Sequence, residues 1–213
     1  MKKTTALFDL DGVLIDSEGL YTDFWAEMGR KFQLTSPTFA HDIKGRTLNS
    51  ILNEYFPSES DKTEIIKELH RFEDNMEFRI FPGAEELLRD LRRHSVGIAI
   101  VTSSDDKKME YLFRQQPVIR EMVDIVIDGS MVSKSKPDPE GYLTAARKLG
   151  GAPADAFVFE DSFQGLEAGR RSGATVIAVA TTNPAESLKG KAHAVIDGLA
   201  GFSYKQMIEI SKL

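Results

Sequence analysis

Cysteine is absent from the 213 residues. That excludes disulfides, thiolate metal sites and a cysteine nucleophile, and says little about compartment. No apolar run approaches the roughly 20 residues that a membrane-spanning helix requires, the longest being stretches such as ATVIAVA at 174–180. Positive charge is outnumbered: 27 Lys and Arg against 33 Asp and Glu give a net charge of −6, so a nucleic-acid backbone is not an expected partner. Internal repeats and low-complexity segments are missing as well. What is present, 41% hydrophobic residues, suffices for one large domain or one domain carrying a sizeable insertion. The expectation at this level is a cytoplasmic monomer with no membrane partner.

From Phe81 onward, short β-type runs alternate with amphipathic stretches of helical period: GAEELLRDLRRH then VGIAIVT, DDKKMEYLFRQQ then MVDIVID, PEGYLTAARKLG then AFVFED, and SFQGLEAGRRSG then ATVIAVA. HAVID and YKQMIEISKL follow as a last strand and helix. Near-continuous apolar strands separated by helices imply a parallel sheet covered on both faces. The first strand, TALFDL, belongs to the same pattern, but residues 17–80 show helical periodicity only. The expected architecture is therefore α/β, a Rossmann-like doubly wound parallel sheet formed by residues 1–16 and 81–213. A helical domain of residues 17–80 is inserted after the first strand.

Ligands of parallel α/β sheets bind beyond the carboxyl ends of the strands. Asp9 closes the first expected strand, Thr102 and Ser103 the second, and Glu160 with Asp161 closes AFVFED; Lys136 lies in the loop after MVDIVID. Taken singly, each has a plain structural explanation. Asp11-Gly12 would serve as a turn, Thr102 to Ser104 and Asp161-Ser162 as helix caps, and Lys134 and Lys136 as a solvated loop. Four strand ends of one sheet carrying such groups at one crevice is the stronger observation.

The chemistry this set supports is phosphoryl transfer. Asp9, Glu160 and Asp161 are hard oxygen ligands suited to Mg²⁺, which also offsets repulsion between carboxylates and a dianionic phosphate. Lys136, the Thr102 hydroxyl and backbone N–H groups near Ser103 can hold phosphate oxygens. Asp9 can act as a carboxylate nucleophile forming an aspartyl-phosphate, and Asp11 can protonate the leaving oxygen and then deprotonate the attacking water. Gly12 lets the chain turn so that Asp11 faces the same phosphate, while Asp16 and Glu18 belong to the connection into the insertion, with Asp16 or Ser17 capping the next helix.

These residues are the ones by which the chain resembles the haloacid dehalogenase-like phosphotransferases. FDLDGVLIDSE is similar to their first motif, IVTSS to the second, Lys136 in KPDPE to the third and FEDSFQGLEAG to the fourth. The resemblance implies Mg²⁺ held by Asp9, the Asp11 carbonyl and Asp161 with help from Glu160. It also implies that the helical insertion is a cap closing over the crevice, and Asp11 argues against the dehalogenase branch. Within the superfamily, IFPGAEELL and EDSFQGLEA resemble the β-phosphoglucomutase-like subgroup, which holds a phosphosugar mutase and many small phosphatases. Tyr21 stands where the mutase has a histidine, and Arg46 directly after Gly45 displaces its loop arginine. The implied activity is hydrolysis of a small phosphorylated metabolite such as a sugar phosphate, with the mutase as alternative and a non-catalytic binding protein as a weaker third. Gly45 and Arg46 are the cap residues expected to reach substrate. Tyr21, Phe24 and Trp25 are expected to pack the insertion's own core, and His41 and His70 to be surface residues without a role.

Overall fold

The computed structural model describes residues 4–212. Strand β1 (Thr5–Phe8) is followed by four helices, α1 (Glu18–Lys31), α2 (Phe39–Asp42), α3 (Leu48–Tyr55) and α4 (Glu59–Asn75). Alternation then begins with α5 (Ala84–Arg93), β2 (Gly97–Val101), α6 (Asp106–Gln115), α7 (Pro117–Met122) and β3 (Ile125–Ile127). It continues through α8 (Glu140–Lys148), β4 (Ala156–Glu160), α9 (Phe163–Ser172), β5 (Thr175–Val179), α10 (Ala185–Leu188), β6 (Ala194–Ile196) and α11 (Tyr204–Ile210). Helices α2, α7 and α10 have no counterpart in the periodicity reading, because one or two turns are too short to show a period. Helix α7 starts at Pro117, whose fixed φ suits a first helical position, and it delays the strand of MVDIVID to Ile125.

The strands form a six-stranded parallel sheet in the order β3-β2-β1-β4-β5-β6. β1 is buried on both faces: Ala6 and Phe8 point into one hydrophobic cluster with Leu87, Leu91 and Leu112, and Leu7 into another with Tyr142, Ala145 and Leu166. Phe8 and Phe159 stack at 4.4 Å between β1 and β4. The order reverses at β1, flanked by β2 on one side and β4 on the other, which is where a doubly wound sheet opens a crevice at its carboxyl edge.

Helices α1 to α4 enclose a third cluster containing Phe24, Trp25, Phe39, Leu52 and Ile65. The two chain crossings between these helices and the sheet run side by side, tied by Asp16 N–H to Arg79 carbonyl (2.8 Å) and Phe81 N–H to Leu14 carbonyl (2.9 Å). No described helix is long and apolar enough to cross a membrane.

Candidate active site

Ladder hydrogen bonds carry the strand geometry one residue past β1 and β2, through Asp9 N–H to Phe159 carbonyl and Thr102 N–H to Ile127 carbonyl, both 2.9 Å. Asp9 and Thr102 are thereby held as rigidly as the sheet itself. At the end of β4, Glu160 and Asp161 are 0% and 1% exposed, an expensive position for carboxylates without partners. Lys136 supplies one. Its buried ammonium donates to Asp9, to Glu160 Oε1 at 2.5 Å and to the Val101 carbonyl at 3.3 Å. Burial works against its charge, but Asp9 and Glu160 more than offset that and hold its pKa well above the ordinary lysine value.

Glu160 is fully engaged. Tyr142 hydroxyl donates to Oε1 at 2.9 Å, while Oε2 accepts from Asp161 N–H and Ser162 N–H at 3.0 Å and from Ser162 Oγ at 2.9 Å. Asp161 differs: its Oδ2 is buried without a hydrogen-bond partner. Burial pushes the pKa of both Asp9 and Asp161 well upward, with the Glu160 charge adding in the same direction, while Lys136 opposes the rise at Asp9. Carboxylate oxygens of Asp9, Glu160 and Asp161 lie within 4.8 Å of one another. An all-oxygen donor set with one orphaned oxygen is the environment a hard divalent cation suits, and Mg²⁺ fits it better than a soft metal.

Gly12, with φ +80°, makes the turn that follows Asp11; a Cβ there would fall 2.1 Å from Asp161 Oδ2, so only glycine allows this approach. Asp11 Oδ1 accepts from Ser17 Oγ and from Lys108 Nζ at 2.5 Å, and its Oδ2 from Ser104 Oγ at 3.1 Å. Ser17 occupies the position preceding α1 without capping it: the expected capping by Asp16 or Ser17 is replaced by the bond to Asp11, a stronger attraction because the acceptor is a carboxylate. Ser162 does cap α9, accepting from Gly165 N–H at 3.0 Å.

A cavity of about 100 Å³ separates the sheet's carboxyl edge from α1 to α4, lined on the sheet side by Asp9, Asp11, Thr102, Ser103, Lys108 and Asp161. Gly45 (φ +76°) brings the α2–α3 loop down onto it, and Ser103 Oγ donates to the Gly45 carbonyl at 2.7 Å. Arg46 also lines the cavity, but its guanidinium is held by Ser50 Oγ and Glu54 Oε2 (2.7 and 2.6 Å) on α3. Tyr21 and Trp25 line the cavity as well as packing the insertion's core. His70 is half-buried and pairs with Asp105 at 3.0 Å, contrary to the expectation of a surface residue.

Sequence reading missed Lys108, Glu73 and Tyr142. Lys108, in the first turn of α6, is 1% exposed, and its ammonium also stands 4.1 Å from the centre of the Tyr21 ring. The only signal for it was a second lysine in DDKK, which fits a solvated helix start equally well. Glu73 on α4 is 3% exposed in a segment whose other acids read as surface.

Fold and site together define a phosphoryl-transfer enzyme of the doubly wound α/β class. The family model of the haloacid dehalogenase-like hydrolases matches residues 6–179, and the chain belongs to that family. It is 32% identical over 189 residues to a validoxylamine A 7′-phosphate phosphatase of Streptomyces hygroscopicus subsp. limoneus, covering 86% of this chain and 88% of that protein. With a phosphorylated carbohydrates phosphatase of Thermotoga maritima the identity is 28% over 205 residues, 91% of this chain and 88% of the relative. Among solved structures, a β-phosphoglucomutase of Clostridium difficile superposes with a TM-score of 0.81 over 99% of this chain and 97% of the other; at 24% identity this is a likeness of fold. The chain is a phosphoric monoester hydrolase.

Proposed function

We propose that the protein is a Mg²⁺-dependent phosphatase of a small phosphorylated metabolite, a sugar phosphate in the first instance, acting through an aspartyl-phosphate. The observation that carries this reading is the buried constellation of Asp9, Lys136 and Asp161, with the orphaned Asp161 Oδ2, at the mouth of a cavity closed by the inserted helices. The relatives named as a validoxylamine A 7′-phosphate phosphatase and a phosphorylated carbohydrates phosphatase support the substrate class.

In this reading Asp9, the Asp11 carbonyl and Asp161 hold the cation. Glu160, with both oxygens already accepting from protein donors, acts by fixing Lys136. When bound, Mg²⁺ neutralises charge between the phosphate and the carboxylates around it. The phosphate is oriented by Thr102, Ser103, Lys136 and the backbone at Gly12, with Asp9 in line to attack phosphorus. Asp11 delivers a proton to the departing oxygen and takes one from the water that cleaves the acyl phosphate. Ser17, Ser104 and Lys108, all donating to Asp11, set its orientation. Residues 17–80 form the cap, and the paired crossings at Leu14–Asp16 and Arg79–Phe81 are the hinge on which it opens. Tyr21 in place of a histidine, and Arg46 committed to Glu54, favour hydrolysis over phosphosugar mutation.

The test is Asp9→Asn assayed for phosphate release from phenyl phosphate and hexose 6-phosphates with Mg²⁺. Activity should drop by about 10³-fold or more with the fold retained, since a group that acts as nucleophile cannot be replaced by its neighbours. Wild-type rates in the variant would eliminate Asp9 as nucleophile.

A further inference from the structure

The wall of the cavity contributed by the inserted helices has a charge pattern that phosphoryl transfer does not explain. Its two cations are both neutralised within the insertion: Lys44 pairs with Glu18 at 2.9 Å and Arg46 with Glu54 at 2.6 Å. Two carboxylates, Glu18 and Glu73, line the same wall. A second phosphate or a carboxylate on the substrate would therefore meet no unpaired cation among the described residues of this wall.

Glu73 stands out within it. It is 3% exposed, and Tyr21 hydroxyl donates to its Oε1 at 2.7 Å. Its other oxygen, Oε2, is buried and has no hydrogen-bond partner. His70 and Asp105 are close by, but they engage one another at 3.0 Å, and Lys108 gives its ammonium to Asp11. Leaving a buried acceptor unpaired is costly, and such groups are ordinarily satisfied by something the fold itself does not contain. Thr22 and Ile51 complete a wall that is partly polar and partly apolar beside it, which suits the hydroxyl and C–H surfaces of a polyol.

We propose that Glu73 Oε2, held in place by Tyr21, is a hydroxyl-recognition subsite that selects an uncharged, polyhydroxylated leaving group; the inference rests on the phosphatase reading above. A hydroxyl on the substrate donates to Oε2 and supplies the missing partner. An anionic group at that place meets a carboxylate instead. A site built to bond a hydroxyl discriminates against analogues that lack it, because its own polar group is then left buried and unpaired.

The experiment compares kcat/KM for hexose and hexitol 6-phosphates, phenyl phosphate, a sugar-acid phosphate and a hexose bisphosphate, in the wild type, Glu73→Gln and Glu73→Ala. Wild-type protein should prefer the neutral polyol esters. Measured at pH 8, above the value of about 7 to which burial raises Glu73, Glu73→Ala should reduce the ratio of polyol to phenyl phosphate turnover by about 10- to 100-fold, the worth of one hydrogen bond to a charged group. Glu73→Gln, isosteric and still offering a carbonyl oxygen, should fall between the two. Wild-type indifference between polyol and phenyl esters, or equal losses on both in folded variants, would overturn the subsite alone. Absence of phosphate release from every one of these esters by the wild type would overturn the phosphatase reading and the subsite with it. Should the alanine variant melt below assay temperature, the glutamine variant decides: an unchanged ratio there, with unchanged preference against the sugar acid, removes Glu73 from recognition.

Discussion

Lys136 Nζ lies 2.5 Å from Glu160 Oε1 while also donating to Asp9, so one buried ammonium joins the ends of β1 and β4 across the crevice. Removing it leaves two carboxylates without their counter-charge in a position water barely reaches. Breaking one side of a buried pair typically costs about 3–5 kcal/mol. For a chain of this size that corresponds to roughly 6–20 °C in Tm. Lys136→Met should therefore melt well below the wild type and lose phosphatase activity by at least about 10²-fold. Lys136→Arg should recover part of the stability and little of the rate, because a planar guanidinium cannot replace a point charge in this pocket. Thermal melts of both variants, with the wild type alongside, decide it; an unshifted Lys136→Met melt would mean the pair contributes nothing.

Asp161 offers the orphaned oxygen, so metal dependence should be read through it. Chelation by EDTA should abolish phosphate release and added Mg²⁺ should restore it. Asp161→Asn should raise the Mg²⁺ concentration giving half-maximal activity by roughly 10- to 100-fold, within the range for losing metal-site support. A direct titration of Mg²⁺ binding by calorimetry reads the same shift without depending on turnover. Undiminished affinity in the variant would place the cation elsewhere.

The sheet was legible because β1, β2, β4 and β5 are apolar on both faces, a pattern that only a strand covered on each side requires. Asp9, Thr102 and Asp161 were legible because they terminate those strands, and Gly12 because a turn had to follow Asp11. The supporting side chains were not. Lys108 and Glu73 sit on amphipathic helices where a charged residue reads as solvent-facing, and their burial arises only when α4 packs against α6. Ser17 looked like a cap because serine before a helix usually is one, and only the folded turn shows Asp11 within its reach. Local patterns encode strand ends well; contacts between elements distant in sequence leave no period to read.

Glu73 also makes stability depend on pH. Burial raises its pKa from 4.5 to about 7, with Lys108 and the Tyr21 hydroxyl opposing that rise and Asp105 and Asp11 adding to it; His70 faces the same junction from one turn away. The folded state therefore holds this proton more tightly than the unfolded chain. The stabilisation is complete below about pH 4.5 and is lost as pH rises through about 7, amounting to about 3 kcal/mol at roughly 1.4 kcal/mol per pKa unit. Glu73→Gln removes this titration and leaves the others in place. Its Tm relative to wild type should climb by about 6–12 °C between pH 4.5 and pH 8. Parallel melting curves for the two proteins across that range would show that Glu73 ionises in the fold as it does in water.

Gly165 gives the sharpest test of how the site is packed. It lies inside α9, where replacing glycine by alanine ordinarily stabilises a helix by about 1 kcal/mol. Here an added Cβ would fall 1.6 Å from Glu160 Oε1 and 1.9 Å from its carboxyl carbon, a clash that no rotation of a methyl group can relieve. Glu160 cannot simply withdraw, since both oxygens are held by Lys136, Tyr142, Ser162 and the Asp161 N–H. Either α9 shifts outward or Glu160 moves and takes Lys136 and Asp9 with it. Gly165→Ala should then lower the Tm and reduce kcat/KM by roughly 100-fold, the scale of an ångström's misplacement of reacting groups. Gly19→Ala in α1, where nothing lies within 4 Å of the added Cβ, should show the ordinary small gain in stability with no loss of rate. If both substitutions behaved alike, the close approach of α9 to Glu160 would not be what holds the Lys136 bridge in place.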